Sequence, residues 1–159
     1  MREILEILEK DARVTPAEIA EMTGIPEEKV REIIKEMEER GVIRKYKTVI
    51  NWEKIGEEYV YALVDLKIHL ERGVGYDAVA DRIARFPEVV DLRLVSGDYD
   101  LSLLVRGRSM KEVAFFVSDK IATLDQVKDT VTHFILKTYK EDGDILYERE
   151  KDRRLAISP

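Results

Sequence analysis

TPAEIAEMTGIPEEKVREIIKEMEERG, residues 15–41, reads as two helices joined by a tight turn. Thr15 is a good N-cap, Pro16 suits the first helical position, and Glu18 completes a T-x-x-E capping box. Ile19, Ala20 and Met22 give the short first helix an apolar side. Gly24 permits a left-handed turn that a side chain resists, and Pro26 opens the second helix. There Val30, Ile33, Ile34 and Met37 recur at i, i+3, i+4 and i+7, which makes one buried stripe, and Gly41 ends the helix. Helix, glycine-containing turn and longer helix form the helix-turn-helix pattern. An ordinary αα-hairpin has the same local signature, so the flanking sequence must decide between them.

On the N-terminal side, residues 2–10 form an amphipathic helix with Ile4, Leu5 and Leu8 on one side, the third wall that a two-helix unit needs to bury its stripe. On the C-terminal side, VIRKYKTVIN (42–51) is β-prone, with Val42, Tyr46, Val49 and Ile50 as its apolar members. Three helices followed by a small hairpin make a winged helix-turn-helix over residues 1–51. WEKIGEE (52–58) is a polar linker. Beyond it the period changes. In Tyr59–Leu70 the even positions are all apolar and the odd ones mixed, a strand with one buried face. A helix ending at Phe86, a strand over 89–96, a two-residue hairpin loop at Gly97-Asp98 and a strand over 99–106 follow. Ser109 then caps a helix whose stripe is Met110, Val113, Ala114, Val117, Ile121 and Leu124, and a last strand runs over 127–139. The order β-α-β-β-α-β is the ferredoxin-like split unit, here residues 59–142, and residues 143–159 form a charged tail. The fold class is α+β: an N-terminal winged helix-turn-helix and a C-terminal ferredoxin-like βαββαβ domain.

Both helices of that unit must cover the same sheet face. The other face still carries Tyr59, Tyr61 and Leu63. Such a patch is unusual on a monomer, and two-fold pairing of sheets would bury it. His69 and His133 lie on that mixed face and read as interface residues, with a ligand or pH-switch role as the sharper alternative.

The chain has 159 residues, is 38% charged and carries a net charge of −6. A nucleic-acid binder of this balance needs a local basic feature. Absence of cysteine excludes disulfides and thiolate chemistry, and two histidines argue against a histidine-rich metal site, so no cofactor or metal is expected. No apolar run approaches the ~20 residues of a membrane span, and the N-terminus does not read as a signal peptide, so a cytoplasmic location is expected. Gly73-Val74-Gly75 lacks the third glycine of a dinucleotide fingerprint and reads as a connector. No nucleophile–base pair stands out, which argues against an enzyme.

This architecture resembles the Lrp/AsnC, or feast/famine, transcription regulators over about the whole chain. The residues that carry the resemblance are ILEILEKDARVTPAEIAEMTGIPEEKV, the E-x-x-G-V-I-R-K-Y segment 38–46, V-S-G-D-Y-D-L at 95–101 and TLDQVKDTVTHFILKTYK at 123–140. The resemblance implies a sensor domain of the RAM/ACT-like kind, effectors that are mostly amino acids, and dimers that build tetramers or octamers on double-stranded DNA. It makes 27–40 the recognition helix. Among its groove-facing candidates Glu27, Glu28, Lys29, Arg31, Glu32 and Lys35, three acids meet three bases, whereas many relatives are basic there. Phosphate neutralisation supplies much of DNA affinity, so this helix is a weak anchor. From Arg40 to Trp52 there is no acid, and Arg40, Arg44, Lys45 and Lys47 are positioned to straddle phosphates. The bland alternative is a solvated hairpin.

In Ser96-Gly97-Asp98-Tyr99-Asp100, a glycine turn leaves N–H groups free for a carboxylate, and an acid can hold an ammonium group. The alternative is a hairpin whose aspartates satisfy local N–H groups. The resemblance implies an effector pocket at Gly97, Asp98, Tyr99 and Asp100, with Thr130 and Thr132 on its other side. Two other functions share parts of this pattern. The two-part architecture also resembles the sirohaem decarboxylases, and a chromosome-compacting protein would bind DNA with little sequence preference.

Overall fold

Helix α1 (Arg2–Lys10), α2 (Pro16–Thr23) and α3 (Glu27–Glu39) build the N-terminal unit around Ile4, Ile19 and Val30, all fully buried. This is a computed structural model; it describes residues 1–70, 73 and 75–147, and divides into units Met1–Val49 and Ile50–Pro159. The capping box at the start of α2 is formed in both directions. Thr15 N donates to Glu18 Oε2 at 2.7 Å, and Glu18 N donates to Thr15 Oγ1 at 3.3 Å. The Thr15 N–H holds the Glu18 carboxyl below its usual value. Gly24 closes α2 at φ +71°, the left-handed region that its position between two helices requires. Met22 departs from the expectation: it is exposed, while Ile19 one turn earlier is fully buried.

The expected wing hairpin is not paired. No strand occurs among residues 42–51. Val42 N and Ile43 N both donate to Met37 O, closing α3, and the chain then runs on without a ladder partner among the described residues. VIRKYKTVIN contains neither glycine nor an Asn-Gly or Asp-Gly pair, so it lacks the chemistry of a tight hairpin turn. The linker is partly ordered as a 3₁₀ turn, Trp52–Ile55.

The second unit is a four-stranded antiparallel sheet in the order β2-β3-β1-β4: β1 is Val60–Ile68, β2 Val89–Leu94, β3 Leu101–Gly107 and β4 Val127–Phe134. Helices α4 (Tyr76–Ile83) and α5 (Met110–Phe116) cover one face, and their Val79, Ile83, Val113 and Phe116 pack on Ala62, Val64, Leu66, Leu103 and Val105. α5 continues as a π-helical turn, Val117–Ile121. The wider turn moves the stripe to Val113, Phe116, Val117, Ile121 and Leu124, which leaves Met110 and Ala114 exposed instead of buried. On the opposite face Leu63 lies between Leu104 and His133 and is 43% exposed. His133 Nε2 is 3.9 Å from Asp65 Oδ2 on this face.

The last strand ends at Phe134, short of the expected Tyr139. Residues 140–145, which span the expected boundary at 142, form a small hairpin of β5 (Lys140–Glu141) and β6 (Asp144–Ile145). Its turn is Asp142-Gly143, both at positive φ. Tyr139 and Tyr147 stack edge-on across its base, and Leu146 O accepts from Asn51 Nδ2 at 2.8 Å. Val74 of the glycine connector and residues 148–159 of the tail lie outside the described residues.

Candidate DNA interface and sensor turn

The apolar stripe of α3 turns Val30 and Met37 into the core and leaves its charged side chains exposed. At i, i+3 and i, i+4 spacing those charges meet one another. Lys29 Nζ lies 2.9 Å from Glu32, Arg31 pairs with Glu27, Lys35 Nζ lies 3.8 Å from Glu39, and Arg40 Nη1 donates to Glu36 at 2.8 Å. All four cations expected to contact DNA from this helix are therefore matched by a carboxylate one turn away. The hydrogen bond to Glu32 raises the Lys29 pKa.

The segment that follows is different. Arg44 and Lys45 are exposed, and among the described residues neither has a hydrogen bond or ion pair. Lys47 is exposed beside them. Tyr46 OH donates to Glu38 Oε1 at 2.8 Å, and partial burial together with that carboxylate raises its pKa. This bond ties the segment to the end of α3. Gly41, at φ +68°, has Arg44 Nη1 only 3.2 Å from where a Cβ would stand. The turn thus directs the first of the two free cations.

At the end of the sheet, β2 and β3 are joined by residues 95–100 instead of a two-residue loop. Val95 N donates to Asp100 O at 2.9 Å, and Gly97 sits at φ +129° with open space where a side chain would be. The two aspartates differ. Asp98 is exposed and has no partner among the described residues. Asp100 is held. Its Oδ2 accepts from Ile68 N at 2.8 Å, its Oδ1 from Tyr76 OH at 3.3 Å, and Lys67 Nζ lies 3.5 Å away. The Ile68 N–H, with Lys67 and Tyr76 behind it, lowers the Asp100 pKa against the opposing effect of burial. Asp100 staples β3 to β1 and to the start of α4.

Thr130 and Thr132 pair with Leu66 and Val64 and share their helix-covered face, half-buried. Strand β1 separates them from β3, so the threonines stand two strand spacings, ~10 Å, from β3, and the turn lies beyond the end of that strand. One protomer does not bring them together. Beside the turn, the structure adds a cavity of about 310 Å³ between α4 and β2–β3, lined by Tyr76, Asp77, Ala80, Asp81, Leu94 and Leu101 among others. Sequence reasoning missed it. Its signal is the pair of alanines, Ala80 and Ala84, on the α4 face that meets β2.

A helix-turn-helix unit followed by a helix-covered antiparallel sheet with an open glycine turn defines a two-domain, DNA-binding regulator. Residues 1–44 match the winged helix-turn-helix DNA-binding family model, and residues 61–145 match the Lrp/AsnC ligand binding domain. The chain belongs to the Lrp/AsnC family of transcriptional regulators. It is 50% identical over 158 residues to the HTH-type transcriptional regulator YugG of Bacillus subtilis, covering 99% of this chain and 95% of that one. To the HTH-type transcriptional regulator FL11 of Pyrococcus furiosus it is 33% identical over 144 residues, 91% and 92% of the two chains. A solved structure of the feast or famine regulatory protein of M. tuberculosis, complexed with L-methionine, superposes with a TM-score of 0.73 at 27% identity, over 92% and 96% of the two chains. Among the described residues no helix is long and apolar enough to cross a membrane.

Proposed function

We propose that this regulator holds DNA through the segment after its recognition helix and responds to an amino acid at the Gly97–Asp98 turn. The observation that carries the first part is the contrast in pairing: the cations of α3 are matched by carboxylates, while Arg44 and Lys45 have no partner among the described residues. Free cations bind phosphate without first losing a partner, and counterion release follows from each such contact. The likeness to a methionine-bound relative supports an amino acid as effector. At the turn, the exposed Asp98 offers a charge for an ammonium group and the open Gly97 leaves room for close approach.

The same reading makes the protein cytoplasmic and a homodimer that assembles further, because the exposed Leu63 face and the separation of the threonines from the turn both call for a second copy. Calorimetric titration of the full chain with the twenty amino acids tests the effector. At least one should bind, and Asp98→Asn should weaken it about tenfold, the scale of one charge-assisted contact. Binding of none by the wild type rejects the amino-acid reading. Unchanged binding by Asp98→Asn rejects the placement.

A further inference from the structure

Helix α3 carries nine ionic side chains, and eight of them have a partner: Glu27 with Arg31, Lys29 with Glu32, Lys35 with Glu39, Glu36 with Arg40 and Glu38 with Tyr46. The ninth, Glu28, is exposed and has none among the described residues. It is the second residue of the helix and stands roughly 170° around from the buried stripe at 100° per residue. The N-terminal residues of a recognition helix are those that reach base edges in the major groove. An unpaired carboxylate there is repelled by phosphates and by the N7 and O6 acceptors of guanine, but it accepts a hydrogen bond from the N4 amine of cytosine.

We infer that Glu28 reads the exocyclic amine of a cytosine in the major groove and so determines specificity at the expense of affinity. The inference rests on α3 being the helix that enters the groove. An acid in the first turn also favours the helix dipole, a role that needs no base. The two roles differ in what glutamine does at this position, since glutamine pairs with adenine N6 and N7.

The experiment selects binding sequences from a pool of random duplex DNA with the full-length wild type, Glu28→Ala and Glu28→Gln, and measures affinity for the unselected pool. Wild type should prefer C·G at one position of the site by roughly tenfold. Glu28→Ala should bind the unselected pool several-fold more tightly and lose the preference at that position alone. Glu28→Gln should move the preference there to A·T. Identical selected sequences for all three proteins overturn the inference, and so does a wild type that binds the pool without preference. A wild type that binds no DNA overturns both the inference and the role of α3. Circular-dichroism melting of each variant checks that the helix is intact, so that a lost preference is read only from folded protein.

Discussion

Helix α3 and the segment after it are both rich in cations, yet they use them differently. On α3 every cation faces a carboxylate within 4 Å, the arrangement that i, i+4 spacing makes automatic in a helix of such composition. In residues 41–51 there is no acid at all, and Arg44 and Lys45 have no partner among the described residues. A count of basic residues would rank the two regions together; the pairing separates them. The Gly97–Asp98 turn repeats the distinction with opposite sign: Asp100 is engaged by Ile68, Tyr76 and Lys67, while Asp98, two residues away, has no partner among the described residues. Groups held by the fold contribute to stability, and groups left open are available to a ligand.

The largest effect should come from the free cations. Arg44→Ala with Lys45→Ala should weaken binding to all duplexes on the order of hundredfold near 50 mM salt and make the salt dependence shallower by about two units. A filter-binding series over salt concentration reads both quantities. An unchanged slope would end the contrast, because it would mean that neither cation touches phosphate.

Next in size is the engaged aspartate. Asp100→Ala leaves the partly buried Ile68 N–H without its acceptor, a loss on the order of 1 kcal/mol. Thermal unfolding should show it as a lowered Tm for the sheet unit. The pH dependence has a definite sign. The folded pKa of Asp100 is lowered, so its contribution is fully present above the ordinary aspartate value of ~3.9 and is lost as pH falls below that value towards the lowered one. Wild type should therefore lose stability faster than Asp100→Ala on acidification through that window. Parallel curves would show that the carboxylate is not held as the geometry has it. For the same reason Asp98, and not Asp100, is the clean probe of ligand binding at the turn.

Much of this was legible in local sequence. The capping box at Thr15 and Glu18, the glycine at 24 and the Val30–Met37 stripe are all determined within one or two helical turns, and so are the α3 ion pairs, which follow from spacing alone. The Asp142-Gly143 hairpin was missed, and a boundary was expected inside it, although Asp-Gly is a strong turn signal. What was not legible depends on partners distant in sequence. The Asp100 staple needs the register that sets Leu101 opposite Leu66, and the burial of Phe116 in place of Ala114 needs the π turn that follows it. The absence of a paired wing has the same origin: Val42, Tyr46 and Ile50 alternate like a strand, but no described segment of the chain pairs with them.

The smallest expected effect is also the sharpest test of the contrast. Lys29→Ala with Lys35→Ala removes two cations, as the double variant of Arg44 and Lys45 does, and a simple charge count makes the two variants equivalent. The pairing does not. Each lysine on α3 that moves to a phosphate must leave Glu32 or Glu39 behind, and the released carboxylate then faces the same negative backbone. Attraction and repulsion nearly cancel, so affinity should fall by less than about threefold and the slope by well under one unit. The helix itself loses only two solvent-screened exposed pairs, which contribute little to its stability, and should stay folded. If this double variant instead matched that of Arg44 and Lys45 in affinity and in slope, the ion pairs of α3 would be incidental, and total charge alone would govern how this regulator holds DNA.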